Sequence, residues 1–144
     1  FQRFKKIRDY IENTKEEVHD KGYVETLLGR KRYIEEIKSN NARIRAHGER
    51  MAVNMPIQGT AAEIIKIAMI NLNNSNIYKN TKAKMLLQIH DELIFECDKN
   101  KSKHLSNTLS KIMPNVVKLN VPLTINIEKG QNLGEMSWKN KQEK

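Results

Sequence analysis

The stretch Leu86 to Glu96, Leu-Leu-Gln-Ile-His-Asp-Glu-Leu-Ile-Phe-Glu, constrains the fold more tightly than any other part of this chain. Met85-Leu86-Leu87-Gln88-Ile89 and Leu93-Ile94-Phe95 are short, β-prone and mostly apolar, and a polar centre divides them. Such runs are too short for a helix to form and bury a face. Two of them about a polar break read as a tight β-hairpin with His90, Asp91 and Glu92 at its tip. A hairpin needs an apolar partner surface to be stable in water, so the rest of the chain must supply one.

The flanking sequence offers helices for that purpose. Residues 1–21 carry Phe4, Ile7, Ile11 and Val18 near one helical face, and Gly22 is placed to end the helix. Residues 23–34 are short, β-prone and basic, with Gly29 marking a turn. A second helix fits Asn41 to about Met55. Pro56 is expected to interrupt it, because proline disfavours the α conformation in the residue before it. A third helix fits Ile57 to about Asn73, where Ala61, Ile64, Ile65, Ala68, Met69 and Leu72 form an apolar stripe. A polar connector over 73–81 leads to the hairpin. A helix at about Lys101–Met113, a strand at Leu123–Ile127 and a loose basic tail complete the reading. The fold class expected is α+β, helices packed on a small antiparallel sheet.

Charge bears on partners. Lys and Arg number 26 against 17 Asp and Glu, a net charge of +9. That excess favours a polyanionic partner such as nucleic acid. The same lysine and asparagine richness, as in Asn71-Leu72-Asn73-Asn74-Ser75-Asn76, also follows from AT-rich coding without any binding role. The single cysteine, Cys97, excludes an internal disulfide and fits a reducing compartment. Neither a signal peptide nor an apolar run of membrane-spanning length is visible, so no membrane partner is expected.

Three segments, Gly22–Tyr33, Glu49–Ala62 and Leu86–Glu96, taken in order and spacing, resemble the signature of the family A DNA polymerases, the bacterial DNA polymerase I type. The resemblance extends to the tail segment Gly130–Met136. Glu63 and Leu133 depart from it, standing where the family often has Asp and usually has Trp. The resemblance implies the palm and fingers of a right-hand polymerase, with about 1–48 belonging to the fingers and 49–144 to the palm. The family's first palm motif, with its own metal-binding Asp, and the nucleotide-gripping fingers helix both lie upstream of Phe1. The expectation is therefore a C-terminal part of a longer chain, inactive by itself, whose partners are primer–template DNA, dNTP and the remainder of the polymerase upstream. A bacterial or a plastid (apicoplast) origin fits the composition.

The chemistry expected is template-directed nucleotidyl transfer, in which a primer 3′-hydroxyl attacks the α-phosphate of a dNTP. Two Mg²⁺ ions stabilise the attacking and leaving oxygens, and hard cations take carboxylate oxygens. Asp91 is the metal ligand that the resemblance implies. Glu92 is the second catalytic candidate, expected to face away from Asp91 because strand neighbours alternate. Without the resemblance, the same residues read as a solvated turn.

Arg50, Asn54 and Gln58 are spaced four apart and would stack along one helix face. In the family the matching positions, with His90, contact the primer–template near its terminus. Locally, each has a simpler reading: Arg50 paired with Glu49 or Glu63, Asn54 as the cap of a helix after Pro56, Gln58 in that helix's first turn. Lys31, Arg32, Arg43 and Arg45 are candidate phosphate contacts or a solvated basic face. The small residues Gly59 to Ala62 suggest that another element approaches closely there. Two rival functions stand beside the polymerase: a non-catalytic DNA-binding module of polymerase descent, and a metal-dependent hydrolase around His90 and Asp91. The four histidines are scattered singly, which does not suit the hydrolase.

Overall fold

Helix α1 (Lys5–Lys21) stops at Gly22, whose φ of 75° is the left-handed conformation that glycine adopts without a Cβ penalty; its N–H donates to the Val18 carbonyl at 2.9 Å. The coordinates, a computed structural model, describe residues 4–136. The expected start of α1 at residues 1–3 and the basic tail over 137–144 lie outside the described residues. The face of α1 that the apolar pattern marks is buried only toward its C-terminal end, where Thr14 joins it and Ile11 is half-buried. Thr14 and Val18 are buried, while Phe4 and Ile7 stay exposed. Thr14 is accommodated because its hydroxyl donates to the Tyr10 carbonyl at 2.7 Å.

The described residues form two compact units, one ending at Ile67 and the other beginning at Ala68. In the first, β1 (Tyr23–Glu25) pairs antiparallel with β2 (Lys31–Tyr33), Val24 opposite Arg32. Their connection is a tight loop. Thr26 N–H donates to the Arg30 carbonyl, and Arg30 N–H returns to the Thr26 hydroxyl, both at 3.0 Å. A 3₁₀ turn, Glu35–Lys38, follows. Val18, Val24, Ile34, Ile37 and Ala52 make the core, flanked by Met51 and Met55.

Helix α2 (Ala42–Asn74) corrects one expectation outright, because it runs through Pro56 without a break. Proline removes one backbone donor and crowds the preceding turn, at about 3 kcal/mol in a helix interior. Its carbonyl still accepts, and the Thr60 hydroxyl donates to it. Ala52, Met51 and Met55 pack into the core immediately before it, and that burial outweighs the local cost. Asn54 therefore caps nothing, and Gln58 is mid-helix.

The second unit holds the hairpin. β3 (Lys84–Ile89) pairs antiparallel with β4 (Glu92–Glu96), with a register shift between Met85 and Leu87. The turn is His90-Asp91. Glu92 is not at the tip but is the first residue of β4, opposite Ile89. The stretch read as a polar connector contains a short helix, α3 (Ile77–Thr81), with Ile77 and Thr81 buried. It starts and ends on left-handed residues, Asn76 (φ 58°) and Lys82 (φ 54°). Helix α4 (Ser102–Ile112) buries Leu105 and Leu109 against Leu72, Ile77 and Ala83. Residues 123–127 form no ladder, contrary to the strand expected there. Leu123, Ile125 and Ile127 still alternate with exposed neighbours, and Ile125 and Ile127 pack against this core. The α+β class holds, with two separate two-stranded sheets instead of one.

Candidate functional site

Two places gather the chemistry, one in each unit. In the first unit, a cavity of about 610 Å³ is lined by Arg30, Lys31, Arg32, His47, Arg50, Asn54, Gln58 and Gly59, with Met51 and Met55 between them. Helical spacing puts Arg50, Asn54 and Gln58 on one face of α2, and His47 extends that face by one turn. The β1–β2 hairpin supplies the opposing basic wall.

Gly59 permits this meeting. A Cβ there would lie 2.7 Å from Thr26 Cγ2, closer than real Cβ contacts come. Next to it, Leu27 N–H donates to the Thr60 hydroxyl at 2.9 Å, and Arg30 Nη2 donates to the Gly59 carbonyl at 3.4 Å. The small-residue run does admit another element closely. Gly48 plays a similar part, because a Cβ there would lie 2.9 Å from Glu36 Cβ and 3.2 Å from Ile37 N.

The simple local readings of Arg50 fail on geometry. Glu49 is taken by His19 (3.0 Å) and Lys15 (3.5 Å), and Glu63 by Arg30 (3.1 Å). The His19 hydrogen bond, and after it Lys15, hold the Glu49 carboxyl below its ordinary pKa. Arg50, Asn54 and Gln58 line the cavity and make no side-chain hydrogen bond or ion pair with another described residue. Among the described residues Arg32 has no acidic partner either; its Nη2 donates to the Met51 sulfur at 3.9 Å. Lys31 is engaged locally, donating to the Tyr23 hydroxyl at 3.2 Å and pairing with Glu25 at 3.4 Å. Those two contacts, Tyr23 first, raise its pKa. Arg43 and Arg45 do not line the cavity; Arg45 Nη1 donates to the Ser39 carbonyl at 3.0 Å. Sequence reasoning missed Arg30 and His47 as cavity residues. The only available signal was their spacing, Arg30 beside Lys31 and Arg32, and His47 three residues before Arg50.

In the second unit, the hairpin turn exposes His90 and Asp91, while Glu92 is half-buried. His90 has φ 52°, and a left-handed non-glycine residue stores backbone strain that surrounding contacts must hold. Gln88 Nε2 donates to its carbonyl at 3.2 Å. Among the described residues no three His, Cys, Asp or Glu side chains gather as a metal cage. Asp91 and Glu92 thus fit a divalent cation in part: the donors are the hard oxygens Mg²⁺ prefers, but too few to complete its shell. Cys97 is half-buried against the second core, and His104 is exposed on α4.

Comparison with known proteins bears on the family and the fold. A DNA polymerase I of Bacillus caldotenax is 45% identical over 130 residues, which is 90% of this chain and 15% of that protein. The thermostable DNA polymerase I of Thermus aquaticus is 42% identical over 132 residues, 92% of this chain and 16% of that protein. The chain thus spans about a sixth of such relatives. A solved structure, the POL domain of Pol1 from M. smegmatis in complex with DNA primer-template and dNTP, superposes with a TM-score of 0.82 at 41% identity, covering 86% of this chain and 22% of that one. The sequence pattern of DNA polymerase family A matches residues 1–135. This chain belongs to DNA polymerase family A.

Proposed function

We propose that this chain takes part in template-directed DNA synthesis, with the α2 cavity holding the primer–template and the hairpin turn supplying a metal-binding carboxylate. One observation carries the reading: Arg50, Asn54 and Gln58 stand on one face of α2, without internal partners, in a cavity walled by Arg30, Lys31 and Arg32. Cations suit phosphates in any sequence. The neutral amides and the Arg50 fork suit the minor groove, where purine N3 and pyrimidine O2 acceptors recur whichever way a base pair lies. Donors aimed there test the geometry of a pair without reading its identity. A mispair displaces the acceptors and leaves donors unmatched, at about 1–3 kcal/mol each. His90, exposed at the turn, is a further candidate contact to the DNA backbone.

Asp91 would hold one divalent cation, with Glu92 beside it in a supporting role. A Mg²⁺ bound there would stabilise charge developing on the transferring phosphoryl group. One exposed carboxylate cannot organise two ions, so the reaction requires further acidic ligands besides these two residues. The 144 residues alone are expected to be inactive, and the working protein is a longer polymerase. The assignment of about 1–48 to the fingers and 49–144 to the palm, and an organellar or bacterial setting, belong to the same reading.

The test is extension from matched and mismatched primer ends by the full-length protein. Arg50→Ala and Gln58→Ala should slow matched extension and narrow the gap between matched and mismatched ends. A 3-deazaguanine at the primer end, which deletes one minor-groove acceptor, should slow the unmodified enzyme. Indifference to that deletion, or equal slowing of both ends by both variants, overturns the minor-groove role.

A further inference from the structure

Arg30 is held in an unusual way. Its Nε pairs with Glu63 Oε1 at 3.1 Å, and Nη2 donates to the Gly59 carbonyl at 3.4 Å. Glu63 Oε2 is buried and has no hydrogen-bond partner among the described residues. A purely structural arginine–carboxylate pair gains most by closing both oxygens onto the guanidinium fork. Here the carboxylate takes a single donor on the Nε side. Of the five guanidinium N–H donors, both on Nη1 and one on Nη2 are left unused. The side chain is about half exposed and lines the cavity, beside Arg32 and opposite Arg50 on α2.

We propose that Arg30 is a phosphate-binding residue of this cavity and that Glu63 is its positioning residue. The inference rests on the nucleic-acid reading above and adds to it a contact that the sequence did not single out. The unspent Nη1–Nη2 edge is the fork that matches two phosphate oxygens. Anchoring through Nε and the Gly59 carbonyl fixes the plane of the guanidinium in advance, so less side-chain freedom is lost when the phosphate arrives. Glu63 does this from the adjoining turn of α2.

Duplex binding by the full-length protein, measured by anisotropy of a labelled primer–template across a salt series, tests the pair. Arg30→Ala should lower the slope of log affinity against log salt by about 0.9 and weaken binding about five-fold at 0.15 M salt, the share of one phosphate's counterions. Arg30→Lys, which keeps the charge, should restore the slope. Glu63 provides a test of sign. Removing a negative charge near a polyanion should tighten binding if Glu63 acts only through its field. As a positioning residue, Glu63→Ala should instead weaken binding at least two-fold, and Glu63→Gln, which still accepts from Nε, should bind at least as well as the native protein. An unchanged slope in Arg30→Ala, or tighter binding in Glu63→Ala, overturns the proposal. If Glu63→Ala does not fold, the Arg30→Ala slope and Glu63→Gln affinity decide it. Should Arg32→Ala and Arg50→Ala lower the slope while Arg30→Ala does not, only this inference fails. Salt-independent binding by the native protein would remove the nucleic-acid reading itself.

Discussion

Gly59→Ala sets two known effects against each other, and the geometry decides between them. In an exposed helix interior, alanine is better than glycine by about 1 kcal/mol. At Gly59 the added methyl would stand 2.7 Å from Thr26 Cγ2, short of ordinary contact by about 0.7 Å. Thr26 cannot easily retreat. It is buried, its N–H and hydroxyl both bond Arg30, and its carbonyl accepts from Gly29 N–H at 3.0 Å. Overpacking of this kind costs about 1–3 kcal/mol. The net expectation is a loss of about 1 kcal/mol, with an upper limit near 2. Thr26→Ser isolates the cause, because it deletes the clashing methyl and keeps the hydroxyl that accepts from Arg30. Alone it should cost about 1 kcal/mol for the lost methyl. Combined with Gly59→Ala it should cost less than the two single losses together, a coupling of about 1–3 kcal/mol. Urea unfolding of the 144-residue chain, followed by far-ultraviolet circular dichroism, measures all four states. If Gly59→Ala is stabilising by itself, or if the losses simply add, the β1–β2 loop does not press on α2 as described. Gly22→Ala is a useful contrast: at φ 75° with open space around it, it should lose about 1 kcal/mol through backbone strain alone, with no neighbour able to rescue it.

Asp91→Asn in the full-length protein should cut nucleotide incorporation by at least about 10²-fold while primer–template affinity stays within a few fold, since the lost charge serves the transition state; near-normal extension would refute its role. Glu49 is held below its ordinary pKa, so its pairing with His19 and Lys15 stabilises the fold above about pH 4.3 and is lost as pH falls through the lowered value. Acid titration of Glu49→Gln should therefore show a weaker loss of stability below that pH, by under about 1 kcal/mol for so exposed a cluster. Cys97→Ser should leave activity of the full-length protein unchanged and cost the fold about 1 kcal/mol, because the thiol packs at the edge of the second core; loss of turnover in a folded variant would show otherwise.

What was legible in the sequence follows the range of the forces involved. Gly22 ending α1, Gly29 in the β1–β2 turn and the His90-Asp91 reversal are local events, each readable within a few residues. Pro56 misled because its local cost is real, while the packing of Ala52, Met51 and Met55 that overrides it comes from residues distant in sequence. Helix α3 has five residues in an asparagine-rich stretch, too few for a 3.6-residue period to register. Residues 123–127 show strand alternation, but a ladder needs a partner strand, which no local pattern supplies. At the candidate site, the spacing of Arg50, Asn54 and Gln58 foretold a shared face. Arg30 was invisible because a tertiary contact, the loop resting on Gly59, is what brings it to the cavity, whereas His47 lies one turn before Arg50 on the same helix face and was readable from spacing alone.

On the proposed reading, the cavity's two tasks fall to residue types that differ in their response to conditions. Arg32 and Arg50 are cations with no acidic partner among the described residues, so any grip on a polyanion through them must weaken steeply with salt. Asn54 and Gln58 are neutral, and their contribution depends on hydrogen-bond geometry instead. Arg50 stands in both classes: it is a cation, yet its place on the α2 face gives it the same aim as the two amides. Lys31 contributes least to a ligand, because the Tyr23 ring lies 4.4 Å beneath its ammonium and Glu25 partly neutralises it. The basic wall of the β1–β2 hairpin is thus weaker than its three consecutive cations suggest. Its strength rests on Arg32, and on whichever donors Arg30 keeps free of Glu63. Affinity and discrimination should therefore separate under mutation. Loss of Arg32 should lower affinity for matched and mismatched duplex alike, whereas loss of Gln58 should leave the salt slope intact and remove selectivity.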